Sequence, residues 1–164
     1  MPMAGGDDQL VRGTPVANAL LDQAALSPDG QTLALFLSLE SQESRTYSSQ
    51  IELISLDPDA GKRIRSIHLD PSLNAVFRNI GPPSGSGFHF TPDGKSLALV
   101  SDDKGVDNVW AQPLDGSRAH KLTSFTSQLI QDFRWSRDGK RLAVLRSNST
   151  SDVILLHETG PPSP

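Results

Sequence analysis

Leu26-Ser27-Pro28-Asp29-Gly30-Gln31-Thr32-Leu33-Ala34-Leu35-Phe36 returns as Phe90-Thr91-Pro92-Asp93-Gly94-Lys95-Ser96-Leu97-Ala98-Leu99-Val100. It returns again as Trp135-Ser136-Arg137-Asp138-Gly139-Lys140-Arg141-Leu142-Ala143-Val144-Leu145. Each copy reads as a β-hairpin. Pro presets φ at the second position of a type I turn, Asp suits the third, and Gly takes the left-handed position that closes the loop. Arg137 stands where the other copies have Pro, a change that a type I turn tolerates. The large apolar residue before the turn ends one strand, and the Leu-Ala-Leu or Leu-Ala-Val after it begins the next. These second runs are continuously apolar rather than alternating, which predicts strands buried on both faces. The small central residue (Ala34, Ala98 and Ala143) lets neighbouring sheets approach closely.

The repeat extends beyond the hairpin. A third strand is predicted at Ile51–Asp57, at Asn108–Leu114 and at Asp152–His157, and a fourth at Arg63–Leu69 and Ala119–Thr123. The turn glycines stand 64 and then 45 residues apart, and a period of about 40–45 residues is that of a four-stranded propeller blade. The extra length of the first interval falls in two loops. One is the Ser-rich stretch 38–49, between the second and third strands. The other is the Pro/Gly-rich stretch 79–87. Val16–Leu21 is the one stretch that could form a helical turn. The expected fold class is therefore all-β, a partial β-propeller of about three four-stranded antiparallel blades. The expected organisation is a remnant of a preceding blade at 1–12, a blade at 20–70, a linker at 71–87, a blade at 86–124, an incomplete last blade at 128–158 and a disordered tail at 159–164. Since propellers close with four to eight blades, the chain reads as the C-terminal fragment of a larger ring whose upstream blades are missing. Its first and last blades would then present uncovered apolar faces.

These residues resemble the TolB-like, or WD40-like (PD40), propeller repeat, whose core runs roughly Phe-Ser-Pro-Asp-Gly-Lys-x-Ile-Ala-Phe. The Gly-His and Trp-Asp pairs of the eukaryotic WD40 type do not punctuate the blades. Asp132–Ala143 followed by Ser149–Leu156 is similar to the final blade of bacterial sensor-like proteins in which such a propeller follows a Ser/Thr kinase or a winged-helix domain. The resemblance implies a module that recognises a protein or peptide. It assigns neither kinase nor DNA-binding activity to this chain, which carries neither motif.

The formal charge is −4, with no run of Lys and Arg, so nucleic acid is not an expected partner. There are no cysteines, which excludes disulfides and thiolate chemistry. The first residues carry no basic-plus-apolar signal segment, and no stretch approaches the length of a membrane helix. The compartment stays open. No Gly-x-Ser-x-Gly elbow exists, and Ser84 and Ser86 have no assignable base. The stretch 81–87 lacks the Gly-Lys-Ser/Thr ending of a phosphate loop. His68, His89, His120 and His157 are scattered and read as structural. Asp102, Asp103, Asp107 and Asn108 could in principle ligate Ca²⁺, but a solvated hairpin loop explains them as well. Trp110 and Trp135 read as blade packing rather than as a stacking platform. The expectation is a non-catalytic binding module with no catalytic, cofactor-binding or metal-ligating residues. The alternative is the propeller part of a prolyl-oligopeptidase-like peptidase or a receptor Ser/Thr kinase, its catalytic domain lying elsewhere.

Overall fold

The structure is a computed structural model, and it describes residues 19–40, 47–56, 62–75 and 87–148. The expectations for 1–12, for the third strand at 152–157, for most of the 79–87 loop, for Ser84, Ser86 and His157, and for the tail lie outside the described residues. Among the described residues ten strands make three antiparallel sheets. Sheet 1 contains β1 (Ala19–Leu26), β2 (Thr32–Glu40), β3 (Tyr47–Ser55) and β4 (Lys62–His68) in that order. Sheet 2 contains β5 (Phe88–Phe90), β6 (Ser96–Asp103), β7 (Val106–Pro113) and β8 (His120–Lys121), again in order. Sheet 3 pairs β9 (Leu129–Trp135) with β10 (Leu142–Ser147). Every described ladder joins strands that are neighbours in sequence.

The three repeated hairpins are the β1–β2, β5–β6 and β9–β10 pairs. Gly30, Gly94 and Gly139 have φ of 74°, 67° and 69°, the left-handed region that a side chain disfavours. The Arg137 turn closes as the others do: Gly139 N–H donates to Ser136 O at 2.9 Å, as Gly30 N–H does to Ser27 O at 2.9 Å. Pairing in β2–β3 runs through Ser38↔Ser49, Leu39↔Ser48 and Glu40↔Tyr47. The described ends of the predicted 38–49 loop, residues 38–40 and 47–49, are thus ladder, because main-chain pairing continues whatever the polarity of the side chains. Ala19, Leu20 and Leu21 open a strand, not a helical turn.

The apolar runs of the first two copies are buried on both faces. Leu97, Ala98, Leu99 and Val100 are all within 2% of full burial, and Ala34, Leu35, Phe36 and Leu37 are buried too. The repeat alternates along β2 and β6. Ala34 and Phe36 face sheet 2, packing with Ile51, Leu53, Phe88 and Phe90 in one core. Ala98 and Val100 face sheet 3, packing with Val109, Ile130 and Phe133 in a second. Phe36 meets Phe88 edge to face with ring centroids 5.6 Å apart. A side chain of this size contributes about 1.5–3 kcal/mol when fully buried. The third copy differs from the first two, most strongly on one face. Ala143 is exposed and Leu145 is 62% exposed, because no sheet among the described residues lies against that side of β10.

Candidate binding surface at the sheet junctions

Sheet junctions are where the described residues form clefts, and the turns build one end of them. In each turn the residue before the Pro or Arg supplies a hydroxyl to the Asp: Ser27 to Asp29 at 2.5 Å, Thr91 to Asp93 at 2.6 Å, Ser136 to Asp138 at 2.6 Å. The same hydroxyl accepts the N–H five residues on, from Thr32, Ser96 and Arg141. The Asp carboxylate also accepts the N–H two residues on, from Gln31, Lys95 and Lys140. These bonds favour the ionised form, so all three carboxyls are held below their ordinary value, the hydroxyl being the largest cause in each. The Ser/Thr had no role in the sequence reading, although its recurrence at the same place in all three copies was the available signal.

The turns also stack. A Cβ placed on Gly94 would lie 3.8 Å from the Pro28 ring, and one on Gly139 would lie 2.6 Å from the Pro92 ring. Each glycine therefore rests on the proline of the preceding copy. Beside this stack, between sheets 1 and 2, runs a groove of about 320 Å³ lined by Pro28, Leu53, Ile64, Phe90, Pro92 and Leu114, with Asp29 and Asp93 at its rim. Ile64 is 57% exposed in it. It is held outward at an irregularity where Leu53 pairs Arg65 and Ile54 pairs Arg63. The next residue, Arg65, ties β4 to sheet 2, donating to the carbonyls of Leu114 at 2.9 Å and Asp115 at 3.1 Å.

A second, more polar cleft of about 420 Å³ lies where residues 69–75 cross sheet 2. Asp70 pins this strap. Its N–H donates to the buried Gln112 Oε1 at 2.9 Å, and its carboxylate accepts Ala119 N–H at 3.0 Å and both the N–H and hydroxyl of Ser72. Those donors, Ser72 N–H foremost, lower its pKa. Leu73 then enters the first core, and Asn74 and Ala75 pair with the edge of β6 at Ser101 and Asp102. What the sequence presented as linker is, over residues 71–75, a clamp between two sheets.

The residues singled out from sequence are dispersed. His68 lines the polar cleft, His120 is exposed on β8, and His89 stacks edge to face on Phe133 while its Nε2 accepts from Arg134. The acidic stretch is not a loop: only Lys104 and Gly105 turn, with φ of 56° and 83°, and β6 and β7 pair on either side. Those two positive angles are those of a type I′ hairpin. Asp107 and Asn108 are buried instead of solvated. Asp107 Oδ2 accepts Ile130 N–H at 2.7 Å, and Asn108 Oδ1 accepts Phe125 N–H at 2.7 Å and the Thr123 hydroxyl at 2.9 Å. Asp107 latches sheet 3 to sheet 2, and Asn108 holds the segment that connects them. Among the described residues no group of three or more His, Cys, Asp or Glu converges in a way that could hold a metal ion. Trp110 packs against the first core with Lys121 Nζ 5.2 Å above its ring. A fully buried carboxylate that sequence reasoning missed, Glu52, accepts from Ser66 at 2.7 Å and from Gln50, with Arg63 Nε 3.7 Å away.

No family model and no curated protein matches the chain. Solved structures do. TolB from Acinetobacter baumannii aligns with a TM-score of 0.52 at 20% identity, over 79% of this chain and 27% of that one. The acylaminoacyl peptidase of Pyrococcus horikoshii aligns at 0.51 and 21% identity, over 88% and 20%. The β-propeller domain of the Trilobed protease from Pyrococcus furiosus aligns at 0.50 and 19%, over 80% and 35%. The chain thus spans about a fifth to a third of the length of these proteins. At such identities the likeness speaks for fold alone, and with three antiparallel sheets in blade order it makes the chain a partial β-propeller of TolB-like fold.

Proposed function

We propose that the chain is a non-catalytic binding module and that the turn-end groove between sheets 1 and 2 takes a protein or peptide segment. The observation that carries this is Ile64, a large apolar side chain more than half exposed in a concave surface whose walls are rigid prolines and buried core residues. Recognition sites concentrate where a rigid scaffold presents such a surface. A fluorescence-polarisation screen of an acetylated hexapeptide library tests it. Wild type should retain a subset of peptides, and Ile64→Asp should weaken their binding at least tenfold without lowering the unfolding midpoint. A library that yields no binder, or binders indifferent to Ile64→Asp, overturns the groove assignment.

A second reading is favoured by the likeness to acylaminoacyl peptidase: the chain is then the propeller part of an enzyme whose catalytic portion lies elsewhere. Both readings expect no turnover from the chain itself. Hydrolysis of peptide or ester substrates by the purified chain, abolished by one point substitution, would contradict both.

A further inference from the structure

We propose that the segment held by the turn-end groove is basic as well as apolar, an arginine beside a large apolar residue. The apolar side chain would rest on Ile64, and the guanidinium would bridge Asp29 and Asp93. This deepens the reading of the groove as a peptide site and rests on it.

Charge complementarity carries the inference. Asp29 and Asp93 are the charged groups among the described residues that line the groove, and no cation lines it. Both carboxylates are exposed. In each, Oδ1 takes the hydrogen bonds of the turn, from the Ser27 hydroxyl and Gln31 N–H in one and from the Thr91 hydroxyl and Lys95 N–H in the other. These donors are neutral, so they hold the carboxyls ionised without cancelling their charge. Among the described residues no side chain pairs with either Oδ2. The cations nearby are engaged or set back. Arg65 is held by the carbonyls of Leu114 and Asp115. The Lys95 ammonium acts on Asp93 through space but lines no part of the groove.

The two carboxylates belong to turns that touch. A Cβ on Gly94, next to Asp93, would lie 3.8 Å from the ring of Pro28, next to Asp29. A guanidinium carries five N–H donors in a planar fork and can serve two carboxylates at once, which suits arginine better than lysine. Pro28, Pro92 and the exposed Ile64 supply the apolar wall for its methylenes and for the neighbouring side chain. The repeat confines this character to one junction. Leu26–Thr32 contains no cation, Phe90–Ser96 contains Lys95, and Trp135–Arg141 surrounds Asp138 with Arg137, Lys140 and Arg141. All three turns share one hydrogen-bond pattern, so the fold does not require this difference in charge. It leaves the junction of sheets 1 and 2 anionic and the third turn cationic.

Fluorescence polarisation on the full chain tests this with three pools of labelled, acetylated hexapeptide amides. Every peptide contains two leucines, and the pools differ in placing arginine, glutamine or glutamate beside them. Wild type should bind the arginine pool about tenfold more tightly than the glutamine pool, and the glutamate pool least. Asp29→Asn and Asp93→Asn keep the Oδ1 acceptor that each turn uses and remove its charge. Each should weaken the arginine pool about threefold, and both together about tenfold, with the glutamine pool unmoved. Asp138→Asn should change nothing. Ile64→Asn, which leaves the charge of the groove unaltered, should weaken every pool that binds. An independent readout uses unaltered protein: carbodiimide coupling of a lysine form of the tightest peptide should fall on Asp29 or Asp93, so an Asn variant that fails to fold by circular dichroism does not end the test. Equal binding of the arginine and glutamine pools, both sensitive to Ile64→Asn, keeps the groove as a peptide site and overturns this proposal alone. No binding by any pool, or binding indifferent to Ile64→Asn, overturns both. An arginine preference that survives the double Asn variant, or coupling that falls on other carboxylates, shows attraction to the net negative chain at large and overturns the proposal as well.

Discussion

Replacing Gly139 by alanine should destabilise the protein more than the same change at Gly30, although the two glycines hold the same place in the repeat. Both have left-handed φ, 69° and 74°, and forcing an L side chain there costs about 1–2 kcal/mol at either site. Their surroundings differ. The new methyl at position 30 meets nothing within 4 Å, whereas at position 139 it would lie 2.6 Å from Pro92 Cβ and 3.2 Å from Pro92 Cγ. A pyrrolidine ring cannot rotate away, so the third hairpin must slide off the second, adding about 1–3 kcal/mol as other overpacked sites do. Gly94→Ala, with Pro28 at an ordinary 3.8 Å, should group with Gly30→Ala. Urea unfolding followed by tryptophan fluorescence is a suitable assay, because Trp110 lies in sheet 2 and Trp135 at the edge of the third turn. At roughly 2–4 °C per kcal/mol for a chain of this size, the Gly139 variant should also melt several degrees below the Gly30 variant. Equal losses at the two sites would refute the stacking of the turns, even if both were large.

Four further outcomes are expected. Thr91→Val removes the hydroxyl that bonds Asp93 and accepts Ser96 N–H; it should cost about 1 kcal/mol and speed hydrogen exchange at the Ser96 amide, and unchanged protection there would count against the role given to the hydroxyl. Asp29, Asp70, Asp93, Asp115 and Asp138 all have carboxyls lowered by hydrogen bonds. Their contribution is therefore fully present above the unfolded value of about 3.9 and is lost as pH falls below it, so the melting midpoint should drop on acidification below about pH 4, and a rise there would show that the sign is wrong. Lys104→Asn relieves a left-handed lysine in the type I′ turn and should stabilise by up to about 1 kcal/mol; a lower melting midpoint would mean that the turn is not as described. Asp107→Ala removes the carboxylate that accepts the buried Ile130 N–H and should cost about 1–3 kcal/mol, while millimolar Ca²⁺ should leave the wild-type midpoint unmoved; a rise of several degrees that Asp103→Ala abolishes would reinstate a metal site.

The hairpins were legible because their information is local. Pro-Asp-Gly fixes a turn by the geometry of three adjacent residues, and Leu-Ala-Leu announces burial on both faces without reference to anything distant. The strap was not legible. Asp70 finds its partners at Gln112 and Ala119, and nothing near Asp70 in sequence marks it as more than a turn former beside Pro71. The acidic stretch misled for a related reason. Asp and Asn favour solvated loops when judged by composition, but Asp107 and Asn108 are drawn into the ladder and satisfied by the main chain of residues 125 and 130. The inter-sheet groove was equally hidden, since Ile64 becomes conspicuous only through the irregularity in β4 that turns it outward.

Sequential pairing within each sheet has a bearing on how such a chain can change over time. Every described ladder closes between neighbouring strands, so a segment inserted between β2 and β3 lengthens one hairpin without altering any other pairing. The two complete sheets illustrate this. Six residues separate β2 from β3, whereas two separate β6 from β7, yet both sheets keep the same order and pack through the same Ala and Phe or Val positions. The entropic cost of a longer loop grows only with the logarithm of its length. Variation is therefore tolerated most readily at that end of the stack, while the opposite end, where each glycine rests on the preceding proline, is closed to it.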